Sequence, residues 1–87
     1  MTKVRIPQPL QVITSDEEIV HVSAKNVRQV IDELELKYPG MKVALLDNDK
    51  LKPDVAIMLD GKIIQLGLLE PVSEDNELIF IPAISGG

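Results

Sequence analysis

Apolar and polar positions alternate from the first residues. Val4 and Ile6 alternate with Lys3 and Arg5, which is the period of a β-strand. Pro7 and Pro9 interrupt the pattern, and Leu10, Val12 and Thr14 resume it against Gln11 and Ile13. This predicts a first strand that begins near residue 2 and is bent or irregular around the prolines. Ser15-Asp16-Glu17 is a polar turn, and Glu18 to Ser23, with β-branched Ile19, Val20 and Val22, is a second strand. The two strands form a hairpin.

The period then changes to that of a helix. At about 100° per residue, Val27, Val30, Ile31, Leu34 and Tyr38 fall within about 60° of one direction. Arg28, Gln29, Asp32, Glu33 and Glu35 cover the other side. Asn26 is a suitable N-cap, with Gln29 three residues on to complete a capping box. Arg28–Asp32 and Glu33–Lys37 are spaced as i, i+4 ion pairs. Pro39-Gly40 stops the helix. Met41 to Asp47 reads as a short helical turn and Asn48 to Asp54 as a polar loop. Val55 to Leu59 is a third strand, Asp60-Gly61 a two-residue hairpin turn, and Lys62 to Gln65 a short fourth strand. A connection follows, with a turn at Ser73 to Asn76. Glu77 to Pro82 is the fifth strand.

One helix among five strands must cover one face of a single mixed sheet. The strongly apolar last strand belongs in the middle, beside and parallel to the first. The fold class is therefore α+β with β-grasp topology: a mixed four- to five-stranded sheet with one main helix. Residues 1–82 form the domain and 83–87 a flexible tail. Both faces of the central strands are apolar. If Val55, Ile57, Leu59, Leu78 and Phe80 face the helix, then Ala56, Met58, Ile79 and Ile81 face outward. Either that outer face docks a partner, or the 41–53 or 66–76 segments cover it.

Composition narrows the classes of function. Among 87 residues there are nine Lys plus Arg, fourteen Asp plus Glu and no Cys, for a net charge of −5. A chain this short has one small core and little room for a deep cleft. The absence of cysteine excludes disulfides, thiolate metal sites and a thiol nucleophile. The negative charge, with Tyr38 and Phe80 the only aromatics, argues against nucleic acid. No run approaches a membrane span and no apolar leader opens the chain, so the expectation is a cytoplasmic protein. His21, the single histidine, lies in a strand with no nucleophile or orienting group nominated nearby, and reads as a surface residue. The acidic runs at 16–18 and 74–77 lack the glycine of an oxygen-ligand loop, so no metal is expected. No Gly-rich phosphate loop is present.

The end of the sequence carries the remaining signal. Five residues, Ala83-Ile84-Ser85-Gly86-Gly87, follow the last strand. Extended, five residues reach about 17 Å. Two glycines without Cβ can thread a narrow channel and bring a carboxylate close to another protein's reaction centre. Ordering five residues costs about 5–10 kcal/mol of backbone entropy, which the neighbouring apolar face, held by the same partner, offsets. Tail and face together describe a substrate for another enzyme.

A domain of this size with Leu78-Ile79-Phe80-Ile81-Pro82 before Gly86-Gly87, a helix ending Lys37-Tyr38-Pro39-Gly40 and an Asp60-Gly61 hairpin resembles the ubiquitin-like sulfur carriers. These include the molybdopterin synthase small subunit, the thiamine sulfur carrier and the carrier of a thiocarboxylate-dependent cysteine synthase. The resemblance implies that Gly87 is adenylated by an E1-like enzyme using ATP and is then converted to a thiocarboxylate. It implies no intrinsic cofactor and no intrinsic catalysis. A sulfur-acceptor synthase subunit would be the second partner. Gly86, Ser85 and Ile84 would form the tail, and Met58, Ile79 and Ile81 would dock partners. A single proline before Ala83 makes the tail most similar to the cysteine-synthase carrier. Protein modification, with isopeptide bonds formed through Gly87, is the alternative function. A non-covalent binding module is the third.

Overall fold

The computed structural model describes residues 1–82. The N-terminal strand is short: β1 spans Thr2–Arg5 and pairs antiparallel with β2, Ile19–Val22, setting Val4 opposite Val20. The hairpin is therefore present, but the strand does not resume after the prolines. Gln8–Leu10 is instead a single 3-10 turn, followed by turns to residue 16. Prolines 7 and 9 lack the N–H a ladder needs. Local bonds take over: Leu10 N–H donates to the Pro7 carbonyl at 2.9 Å, and Gln11 Nε2 to the Ile6 carbonyl at 3.0 Å. Thr14, buried, sends its hydroxyl to the Glu17 carbonyl at 2.9 Å. Leu10 reaches the core while Val12 stays 83 % exposed.

Helix α1, Val27–Lys37, forms as its periodicity requires, and Val27, Val30, Ile31 and Leu34 are fully buried. Burying each such aliphatic side chain stabilises by about 1.5–3 kcal/mol. Tyr38 caps the helix and packs, half-buried, against the core. Asn26 Oδ1 accepts from Gln29 N–H at 2.8 Å. The reciprocal arm differs from a standard box: Gln29 Oε1 accepts from Lys25 N–H, one residue before the cap. The intrahelical ion pairs are also replaced. Asp32 pairs with Lys42 at 3.0 Å, and Lys37 Nζ donates to the His21 carbonyl at 3.3 Å. Helix packing brings these partners nearer than side chains competing on a solvated surface.

Helix α2, Met41–Leu45, is the short helical turn expected. Gly40 precedes it at φ 105° and offers no capping side chain. Glu35 supplies the cap instead, accepting from Gly40 N–H at 3.2 Å and Lys42 N–H at 2.8 Å. The polar loop contains a small ladder that the sequence reading missed: β3, Leu46–Asp47, pairs with β4, Lys50–Leu51. Asn48 and Asp49 make its turn at φ 53° and 62°. Asn and Asp tolerate that conformation, which two-residue hairpins favour.

Strand β5 is Val55–Leu59 and β6 is Lys62–Ile63, shorter than expected. The connection to the last strand includes a 3-10 turn at Gly67–Leu69. Strand β7, Glu77–Pro82, lies between β1, to which it is parallel, and β5, to which it is antiparallel. The sheet order is β2-β1-β7-β5-β6, the β-grasp topology. The core lies on the helix side, where Val4, Ile57, Leu78 and Phe80 meet the buried face of α1.

Candidate docking face

The opposite sheet face is set by register. Met58 pairs with Ile79, Ala56 with Ile81, and Met58 on its other side with Ile63. Across β1, Ile79 lies opposite Arg5, which lies opposite Ile19. One row therefore crosses the whole sheet as Ile19, Arg5, Ile79, Met58, Ile63. None of these five belongs to the core cluster or packs against it. Ile63 is 53 % exposed and Ile81 37 %, while Met58 and Ile79 are half-buried by their neighbours in the sheet.

The two segments available to cover this face lie on the helix side. Met41, Leu45 and Leu46 enter the core, and Lys52 N–H donates to the Leu45 carbonyl at 3.0 Å. The second segment runs past the start of α1: Val27 N–H donates to the Glu70 carbonyl and Val72 N–H to the Lys25 carbonyl, each at 3.0 Å. Val72 and Leu68 pack into the core from there. Among the described residues, no element lies over Met58, Ile79 and Ile81.

The sequence reading missed Ile63, although a two-residue turn at Asp60-Gly61 forces Leu59 opposite Lys62 and Met58 opposite Ile63. The face therefore extends to the sheet edge. Asp60 fixes that edge to β7: its N–H donates to the Glu77 carbonyl at 2.9 Å, and its Oδ1 accepts from Glu77 N–H at 2.8 Å. Next along β7, the Glu77 carboxylate receives Arg5 at 3.0 Å and Lys3 at 3.5 Å. The hydrogen bond from Arg5 holds the Glu77 carboxyl below its ordinary range, against the opposing effect of partial desolvation.

His21 is an exposed strand residue, as expected. Among the described residues, no group of three His, Cys, Asp or Glu side chains is placed to hold a metal, and no helix is long and apolar enough to cross a membrane. Ile84, Ser85, Gly86 and Gly87 lie outside the described residues. The last described position is Pro82, opposite Val55 at the end of β7 where the Ala56–Ile81 pair of the outer face lies.

Comparison with known proteins agrees with this architecture. The chain in a BexX/CysO complex of Amycolatopsis orientalis superposes with a TM-score of 0.94 at 27 % identity, covering 100 % of both chains. CysO of Mycobacterium tuberculosis gives a TM-score of 0.88 at 26 % identity, over 97 % of this chain and 100 % of that one. Small archaeal modifier protein 1 of Methanosarcina acetivorans gives 0.84 at 23 % identity, over 99 % and 95 %, and shares the fold. No curated protein matches the sequence significantly. The ThiS family model matches residues 4–87, a span that begins within β1 and takes in the central β7 and the Gly86-Gly87 pair, and the chain belongs to the ThiS family of ubiquitin-like sulfur carriers.

Proposed function

We propose that Gly87 carries the reacting group of this carrier and that the outer sheet face is where its partners hold it. An E1-like enzyme joins the Gly87 carboxylate to the α-phosphate of ATP and releases pyrophosphate. A sulfide-equivalent donor then displaces AMP and leaves a thiocarboxylate. The thiocarboxylate sulfur bonds to an acceptor on a synthase subunit, and water then cleaves the acyl–sulfur bond, supplying the oxygen that restores the Gly87 carboxylate. The chain itself contributes no acid, base or bound cofactor to these steps, and the isolated protein turns over no substrate. ATP belongs to the activating partner.

The observation that carries this reading is the family match, which runs through Gly87. The face supports it. Met58, Ile79, Ile81 and Ile63 offer apolar area beside the end of β7, so a partner gripping that area receives the tail within about 17 Å of Pro82. Ile84 and Ser85 would line the entry and Gly86 would keep it narrow. A carrier of this shape is found with a second protein in the BexX/CysO complex. The Pro82-Ala83 sequence ahead of Gly86-Gly87 points to the cysteine-synthase type of carrier.

Mass spectrometry of the protein from its native cell tests the reading. Replacement of one Gly87 oxygen by sulfur supports it. Lysine adducts on other proteins without any thiocarboxylate would replace it with the modifier function. Deleting Gly87 should abolish sulfur transfer without unfolding the domain.

A further inference from the structure

The sequence contains a single Asp-Gly pair, Asp60-Gly61, and every other Asp or Asn precedes a residue that carries a Cβ. The pair forms the exposed turn between β5 and β6, with Asp60 at φ 51° and Gly61 at φ 84°. Glycine presents its backbone nitrogen with no side chain beside it. The space around Gly61 is open, since an added Cβ would meet nothing within 4 Å. A nucleophilic nitrogen therefore follows a carboxyl group with little steric protection of its own.

The reaction available to such a pair exchanges only water. The Gly61 nitrogen bonds to Asp60 Cγ and gives up its proton. The bond from Cγ to the hydroxyl oxygen of the acid breaks, and one water leaves. A five-membered cyclic imide remains, and it takes a water back at either carbonyl. Cleavage between nitrogen and Cγ restores aspartate. Cleavage at the main-chain carbonyl carbon leaves an isoaspartyl residue, whose main chain runs through Cβ and Cγ and is longer by one methylene.

The fold opposes the first of these bonds. Ring closure needs Cγ in line with the nitrogen at about 3–3.5 Å. Asp60 instead commits its carboxylate to β7: Oδ1 accepts from Glu77 N–H at 2.8 Å, and Oδ2 accepts from Asn76 Nδ2. Asn76 is itself fixed at its other end, where Oδ1 accepts from Ser73 N–H at 2.8 Å and from Ser73 Oγ at 3.2 Å. The 73–76 turn thus carries a side chain that holds the carboxylate of a different turn. Attack requires local release of that carboxylate, so its rate follows the released fraction.

We propose that Asp60-Gly61 is a site of spontaneous backbone isomerisation in this protein and that Asn76 is the positioning residue that restrains it. The isoaspartyl product puts an extra main-chain atom into a two-residue turn and moves the carboxylate away from Glu77 N–H. Ile63 then loses its place opposite Met58. One slow reaction in a surface turn therefore removes the β6 edge of the outer face.

Incubation of the full chain at neutral pH tests this, with isoaspartate located by electron-transfer fragmentation mass spectrometry. Asn76→Asp keeps an acceptor for Ser73 and removes the donor to Asp60. In that variant isoaspartate at residue 60 should accumulate about tenfold faster than in the wild type, the worth of one hydrogen bond to a charged acceptor. The isomerised protein should lack the Met58–Ile63 nuclear Overhauser contact. Persistence of that contact after isomerisation, or a folded Asn76→Asp protein that isomerises at the wild-type rate, overturns the proposal. If the variant does not fold, the wild type decides. Residue 60 should isomerise about tenfold more slowly in the folded chain than in the same chain unfolded in guanidinium chloride, and equal rates overturn the proposal.

Discussion

Arg5 and Glu77 meet across the parallel β1–β7 ladder, with Arg5 Nη2 donating to Glu77 Oε2 at 3.0 Å. Lys3 joins the same carboxylate oxygen from 3.5 Å. The first and last strands of the domain are far apart in the chain, and this cluster ties their starting ends on the outer face. Its carboxyl is held below the ordinary range chiefly by the Arg5 hydrogen bond. A carboxyl whose pKa is lowered by folding stabilises the folded state fully above its unfolded pKa, about 4.3 for Glu. That contribution disappears as pH falls through the lowered folded value.

Glu77→Gln should therefore lower Tm at neutral pH, and the difference from the wild type should close as pH falls below about 4. Thermal unfolding followed by circular dichroism from pH 7 to pH 2 checks it. A Tm difference that persists unchanged at the acid end would assign the effect to packing or geometry. Because the cluster is exposed, salt should also reduce it.

Glu35 has a structural task that its place on the polar side of α1 conceals. Its carboxylate accepts the Gly40 and Lys42 N–H groups at the start of α2, where Gly40 has no side chain to do so. Helix α2 delivers Met41 and Leu45 to the core. Glu35→Ala should destabilise by about 1 kcal/mol, within the range for losing a helix cap. Urea unfolding of Glu35→Ala beside Glu33→Ala, which removes no such bond, separates capping from loss of surface charge.

Periodicity made most of this molecule legible. The alternation in β5 and β7 and the stripe on α1 each describe a surface, and the surfaces fit together in one way once the most apolar strand is placed centrally. The outer face followed from the same alternation, and Ile63 was implied by the Asp60-Gly61 turn. Bonds formed at a distance in sequence were not legible. The reach of Glu35 to residues 40 and 42, of Asp32 to Lys42 and of Lys37 to the His21 carbonyl depends on how helices settle on a sheet. Leu10 to Thr14 misled in a more instructive way. Its side-chain period is that of a strand, but period describes burial and carries no information about backbone donors, which the prolines remove.

The two sides of the sheet should respond oppositely to substitution. Leu78 is fully buried beneath α1, whereas its neighbour Ile79 lies in the outer row opposite Met58. Leu78→Ala should cost about 2–5 kcal/mol, because it opens a cavity in the core. Ile81→Ser, on the exposed end of the outer face, should change stability by less than about 1 kcal/mol. Its effect should be on partners: a higher KM as substrate of the activating enzyme with kcat little changed, since docking area is lost and the tail is intact. Chemical denaturation paired with steady-state activation kinetics reads both. An Ile81→Ser protein that is fully stable and activated at wild-type KM would remove that end of the face from the docking surface.

Gly61 isolates the backbone part of the register that builds this face. It follows Asp60 in the turn, with φ of 84° against 51° for Asp60, and a Cβ added at Gly61 meets nothing within 4 Å. Gly61→Ala therefore introduces strain without a clash and should destabilise by about 1 kcal/mol through the left-handed conformation alone. Asp60 resists the alternative of moving the turn, because its main-chain N–H and its carboxylate both bond Glu77. Slipping the hairpin by one residue would break those bonds and turn Ile63 away from Met58. The expected result is a lower Tm with the Met58–Ile63 cross-strand contact retained, measured by thermal unfolding together with side-chain nuclear Overhauser effects. Loss of that contact in a folded Gly61→Ala protein would show that glycine, rather than the Asp60 bonds, sets the register.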